Sequence, residues 1–146
     1  MTNYFASIVN KRTLQDLSKV RISEAKVLLD NGYFAGAYYL SGYAVECAIK
    51  ACIAAQIRQH EIPERKLVND FYTHDLELLV RLAGLKPRLD MDIQTDATLA
   101  RNWTLVKDWR VESRYDAGTS EVRARDFYSD VKARTHGMLA WINRCM

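Results

Sequence analysis

The chain has 146 residues, 49% hydrophobic and 27% charged, a balance that fits one globular domain with its own core and excludes a disordered or fibrous chain. Its formal net charge of +3 is mild, and the basic residues are spread along the chain, so charge permits nucleic-acid contact without arguing for it. Cys47, Cys52 and Cys145 form an odd set without CxxC spacing, so free thiols in a reducing cytosol are expected, not a disulfide framework or zinc site.

Met1 to Asn10 lacks a basic region followed by a long apolar run, so no secretory signal is expected, and residues 1–12 read as a loosely ordered lead-in to a single domain spanning 1–146. Residues 13–30 place Leu14, Leu17, Ala25, Leu28 and Leu29 near one face at helical spacing, with Thr13 as the expected N-cap and Asn31-Gly32 as the stop. The next stretch, "YFAGAYYLSGYAVECAIKACIAAQ" (33–56), is apolar or small almost throughout, and its only charges are Glu46 and Lys50. It is long enough to span a bilayer, yet each charge near the centre of a span costs roughly 2.5–3.5 kcal/mol. A helix from about Tyr33 to Gln59, covered by protein on several sides, is therefore expected instead.

From His60 to Thr73 the pattern dissolves into charge and Pro63, which reads as a loop. "THDLELLVRLAGL" then starts a helix capped at Thr73, with Leu76, Leu79, Val80 and Ala83 on one side and Gly84 closing it. Pro87 and the mixed stretch to Gln94 read as a second connection. Residues 95–110 carry Leu99, Trp103, Val106 and Trp109 at helical intervals. "YDAGTS" (115–120) is a turn, and a last helix over 119–144 shows Ala124, Tyr128, Val131, Met138 and Ile142 as a stripe, with Gly137 its weak point. No sustained alternation of period two occurs. The expected fold is one all-α antiparallel bundle of about five helices.

Two polar constellations stand out. Glu46 and Lys50, acid before base at i, i+4, suit either an ion pair at the core edge or one wall of a cleft. In "ARNWTLVKDWRVESRYD" (100–116), Arg101, Lys107, Arg110 and Arg114 interleave with Trp103, Trp109 and Tyr115, a composition that suits phosphate clamping and base stacking. Asp108 and Glu112 would neutralise part of that patch, and core tryptophans under a solvated charged face account for the same pattern. His60, His74 and His136 stand apart from one another and from the cysteines, so no metal site is expected. No nucleophile elbow or phosphate-cradling glycine loop is present.

Taken in order, "RISEAKVLLDNGYFAGAYYLSGYAVECAIKA" (21–51), "THDLELLVRLAGL" and then Trp109, Glu112, Arg114 and Tyr115 resemble the HEPN family of small helical bundles. The resemblance implies an antiparallel bundle that dimerises and an association with RNA. It also implies, for some members, pairing with a nucleotidyltransferase as toxin and antitoxin. Catalytic members resemble metal-independent ribonucleases that use an Arg followed after four to six residues by a His. Here Arg101-Asn102 looks like the start of that motif, but positions 106–108 hold Val106, Lys107 and Asp108, so the acid/base imidazole is not found there. The family layout further implies that Glu46 and Lys50 face the Arg-bearing segment, with Glu46 opposite Arg101, Arg110 or Arg114.

The expectation is a cytoplasmic, non-catalytic or degenerate HEPN homodimer, without cofactor, metal or membrane. It binds RNA or a nucleotide through Glu46, Lys50, Arg101, Lys107, Arg110, Glu112, Arg114 and Tyr115. Two alternatives stay open: a ribonuclease toxin with a rearranged active site, and a module that binds only a protein partner.

Overall fold

The structure, a computed structural model, describes residues 9–57 and 61–146. Helix α1 (Lys11–Asp30) starts from Asn10, whose Oδ1 accepts a hydrogen bond from the Thr13 N–H at 2.8 Å. The cap therefore lies three residues before the expected Thr13, because the short amide at an extended position reaches back to the third helical N–H. Leu14, Ser18, Ile22, Ala25 and Leu29 form its buried stripe. Gly32, at φ +83, and later Gly84, at φ +72, make the two turns that the sequence assigns them.

Helix α2 (Phe34–Ala55) is the axis of the molecule: from Ala37 to Ile53 only Tyr39, Leu40 and Tyr43 are less than fully buried. It runs antiparallel to α1, for Leu28 lies against Gly36 beside the turn while Ser18 Oγ donates to the Ala44 carbonyl farther along, at 2.7 Å. Such a helix is stable only when clad. The cladding comes from α1, from α4 (Leu76–Leu82), from α7 (Glu121–Lys132), from α8 (Met138–Arg144) and from a 3-10 helix (Val111–Tyr115).

Two stretches expected as connections are helical. Within 60–73, α3 (Arg65–Phe71) forms two turns that lay Leu67 and Phe71 on the core; His60 lies outside the described residues. Its apolar signal is a single i, i+4 pair beside Pro63 and several charges, too little to register as a period. In the second stretch, α5 (Lys86–Thr95) carries Pro87 in its first turn, where the missing N–H has no helical partner to lose, and buries Leu89 completely.

Helix α6 (Ala97–Val106) buries Leu99, Trp103 and Val106 as expected, but ends before Trp109, which is fully buried beyond the helix. The expected last helix is broken into α7 and α8 by residues 133–137, at the Gly137 weak point. With α3 and α5 added and the last helix split in two, the described residues form eight α-helices where about five are expected. Among the described residues there is no strand, so the chain is all-α. No described helix is long and apolar enough to cross a membrane.

Candidate functional site

On α2, Tyr39, Tyr43, Glu46 and Lys50 stand at i, i+4, i+7 and i+11, one face of the helix. The upper part of that face is aromatic. Tyr39 stacks on Tyr43 with ring centroids 6.1 Å apart and on Trp109 at 6.0 Å. Trp109 reaches this position because residue 42 is glycine: a Cβ there would lie 2.2 Å from the indole Nε1. The buried indole anchors the 3-10 helix on α2 and leaves two buried polar atoms, Trp109 Nε1 and Ser113 Oγ, without a hydrogen-bond partner.

At the end of the 3-10 helix the Arg114 guanidinium lies 4.9 Å from the Tyr115 ring centroid, and Tyr115 is 76% exposed. Tyr115, and then Tyr39, hold the Arg114 guanidinium above its ordinary pKa. The result is an open shelf: one arginine, one exposed ring and a half-buried pair of tyrosines over a buried tryptophan. Burial pushes the Tyr43 phenol up to about 12, with Cys47 and Glu46 adding to the effect, so the phenol stays protonated at neutral pH.

Of the site residues expected from sequence, Arg114 and Tyr115 meet on this shelf. Arg110 turns back on its own loop, donating to the carbonyls of Trp109 at 3.1 Å and Lys107 at 3.3 Å. Glu112 is exposed and Lys107 half-buried. None of Lys107, Arg110 and Arg114 has an ion-pair partner among the described residues. Arg101 lies elsewhere, 3.3 Å from the buried carboxylate of Asp130 on α7, whose pKa burial raises.

Among the described residues no arginine pairs with Glu46. Its Oε2 lies 3.3 Å from Lys50 Nζ and its Oε1 2.8 Å from His74 Nδ1, because the start of α4 covers this end of α2. The side chains of Glu46 and Lys50 are only 3% and 10% exposed, whereas that of His74 is 46% exposed. Lys50 Nζ also sits 5.1 Å from the Phe71 ring centroid, so α3 roofs the pair. His74 is therefore the surface member of this group, and its other ring nitrogen has no protein partner among the described residues.

A second imidazole is held the same way. His136 Nδ1 lies 2.7 Å from Asp96 Oδ2, and the His136 carbonyl accepts from Asn102 Nδ2 at 2.9 Å. Asp96 also caps α6, accepting from the Leu99 N–H, and that bond, followed by His136, lowers its pKa. Cys47 and Cys52 are buried thiols pushed up to about 11 by burial, which makes them poor nucleophiles. Among the described residues no group of three or more His, Cys, Asp or Glu could hold a metal ion.

Sequence reasoning passed over Tyr39 and Tyr43, and weighed His74 as a metal ligand, not as a partner of Glu46. The tyrosines carried a usable signal, an i, i+4 aromatic pair on a helix otherwise built of small residues. The His74–Glu46 pairing carried none, since it closes across 28 positions. No curated protein and no solved structure matches the chain. The family model described as HEPN domain matches residues 18–145.

Proposed function

We propose that this chain, which belongs to the HEPN domain family, binds single-stranded RNA or a nucleotide on the Arg114–Tyr115–Tyr39 shelf and does so without cleaving it. The observation that supports this most is the exposed Tyr115 ring beside a guanidinium that no carboxylate neutralises among the described residues. An arginine of that kind takes a phosphate bidentately, and an open ring offers a face on which any base stacks. Lys107 and Arg110, just before the 3-10 helix in the chain, add two positive charges without ion-pair partners among the described residues. The active assembly in this reading is a homodimer, which places two shelves in one particle and lengthens the strand it can hold.

The test is a fluorescence-anisotropy titration of a labelled mixed-sequence RNA at two salt concentrations. Binding should weaken steeply with salt, with a log–log slope of about −0.7 per phosphate neutralised. Arg114→Ala with Tyr115→Ala should lower affinity by at least about tenfold, since stacking alone is worth roughly 1–3 kcal/mol per base. Unchanged affinity in that double variant would sink the reading. Copurification with a nucleotidyltransferase, without RNA binding, would move the function to the protein partner.

One observation favours a second reading, a ribonuclease with a rearranged site. His74 presents an imidazole oriented by a buried carboxylate, the kind of group that general acid/base chemistry needs. RNA shortened by the wild-type protein but left intact by His74→Ala would establish it. Intact RNA with both proteins leaves the binder.

A further inference from the structure

A second concave site lies between α1, α7 and α8 and shares no lining residue with the shelf. It has a volume of about 430 Å3, within the range of sites that hold small molecules. Lys19 and Lys132 stand in its walls, Gln15 and Asn143 line it as well, and Ile22 and Leu139 supply apolar surface. A neighbouring hollow of about 340 Å3 shares Lys19, Ile22 and Lys132 and adds Tyr128 and Lys26. Among the described residues no Asp or Glu side chain lines either space.

Lys26 is paired with Asp30 at 2.7 Å, but neither Lys19 nor Lys132 has an ion-pair partner among the described residues. Lys19 and Lys132 are both exposed, so each ammonium is free to turn toward an anion held between them. Among the described residues the lining cations are lysines and not arginines, which selects among anions. Lysine acts as a compact point charge with rotatable donors, which suits a tetrahedral oxyanion, whereas a planar carboxylate is best matched by the arginine fork. Gln15 Nε2 is 3.1 Å from Met146 Sδ, a weak acceptor that a phosphate oxygen would replace with gain.

We propose that the Lys19–Lys132 cavity binds a small phosphomonoester with an apolar body. The phosphate sits between the two lysines and the apolar body lies on Ile22, Ala48 and Leu139. An RNA strand fits this site less well, because among the described residues no aromatic side chain lines the larger cavity to stack a base.

Isothermal titration of the full chain with hexyl phosphate tests the proposal, with inorganic phosphate and sulfate as comparison ions. Hexyl phosphate should bind at least about tenfold more tightly than either ion, since several of its methylenes leave water on binding. Lys19→Gln with Lys132→Gln should lower that affinity at least about tenfold, in line with the loss of charge-assisted hydrogen bonds. Arg114→Ala should leave it unchanged, which separates this site from the shelf. The 13C-methyl resonance of Met146 should shift on saturation, a readout that needs no variant to fold. Equal binding of sulfate and hexyl phosphate, full affinity in the double lysine variant, or an unmoved Met146 resonance at saturation would each overturn the proposal.

Discussion

The carboxylate of Glu46 and the imidazole of His74, 28 positions apart in the chain, meet at 2.8 Å and fasten the middle of α2 to the residue just before the α4 cap. Lys50 approaches the same carboxylate from one helical turn away at 3.3 Å. The acid is thus the shared partner of two basic groups, one interior and one at the surface. That asymmetry sets what each substitution should do.

Glu46→Ala should destabilise the fold by about 3–5 kcal/mol, because it leaves the largely buried Lys50 ammonium without a counter-charge. His74→Ala should cost less, about 1–3 kcal/mol, since Glu46 keeps Lys50. Urea denaturation of the two variants gives the order directly. Equal losses would mean that Lys50 is not held by Glu46 in solution.

Asp96 makes a prediction about pH. The Leu99 N–H first, and His136 second, lower its folded pKa below the unfolded value of about 3.9. A depressed carboxylate stabilises the fold fully above the unfolded value, and that contribution is lost as pH falls through the lower folded one. Asp96→Asn keeps a capping side chain but cannot titrate. The stability of the wild type relative to this variant should therefore fall as pH drops below about 4, where Asp96 takes up its proton. A difference that stays flat down to pH 2 would show that Asp96 is not held in its charged form.

The fold was legible wherever a long period repeated. Leu14, Ala25 and Leu29 on α1, and the apolar circumference of α2, announce two helices and which of them is central. Helices α3 and α5, no shorter than α4 and α6, set few apolar positions among charges and so showed no period, and prolines beside them read as stops although one occupies a first turn. The site was legible in part. Arg114 and Tyr115 are neighbours in sequence and meet in space. The partners of Arg101 and Glu46 lie on other helices, Asp130 and His74, and linear spacing carries no information about which helix ends pack together.

Asp75, not Thr73, caps α4: its Oδ1 accepts from the N–H groups of Glu77 and Leu78, while Thr73 Oγ1 accepts only from the Asp75 N–H. Asp75→Ala should therefore cost about 1 kcal/mol, the usual loss for a helix cap, and Thr73→Ala a smaller amount. Chemical denaturation of both proteins would decide it. A larger loss at Thr73 would return the cap to the position the sequence first indicates.

Gly42→Ala couples packing to binding. The added Cβ would fall 2.2 Å from Trp109 Nε1 and 2.3 Å from its Cδ1, on an indole with no exposed surface into which to retreat. Overpacking of this kind costs roughly 1–3 kcal/mol, and relief comes only by moving the indole away from α2. Trp109 stacks on Tyr39 and precedes the 3-10 helix that carries Arg114, so the shelf must move with it. RNA affinity should fall in this variant although residue 42 touches no solvent. Melting and anisotropy on the same preparation separate the possibilities. Lower stability with full RNA affinity would show that the shelf does not depend on the seat of Trp109, and that Arg114 is positioned by something other than the indole.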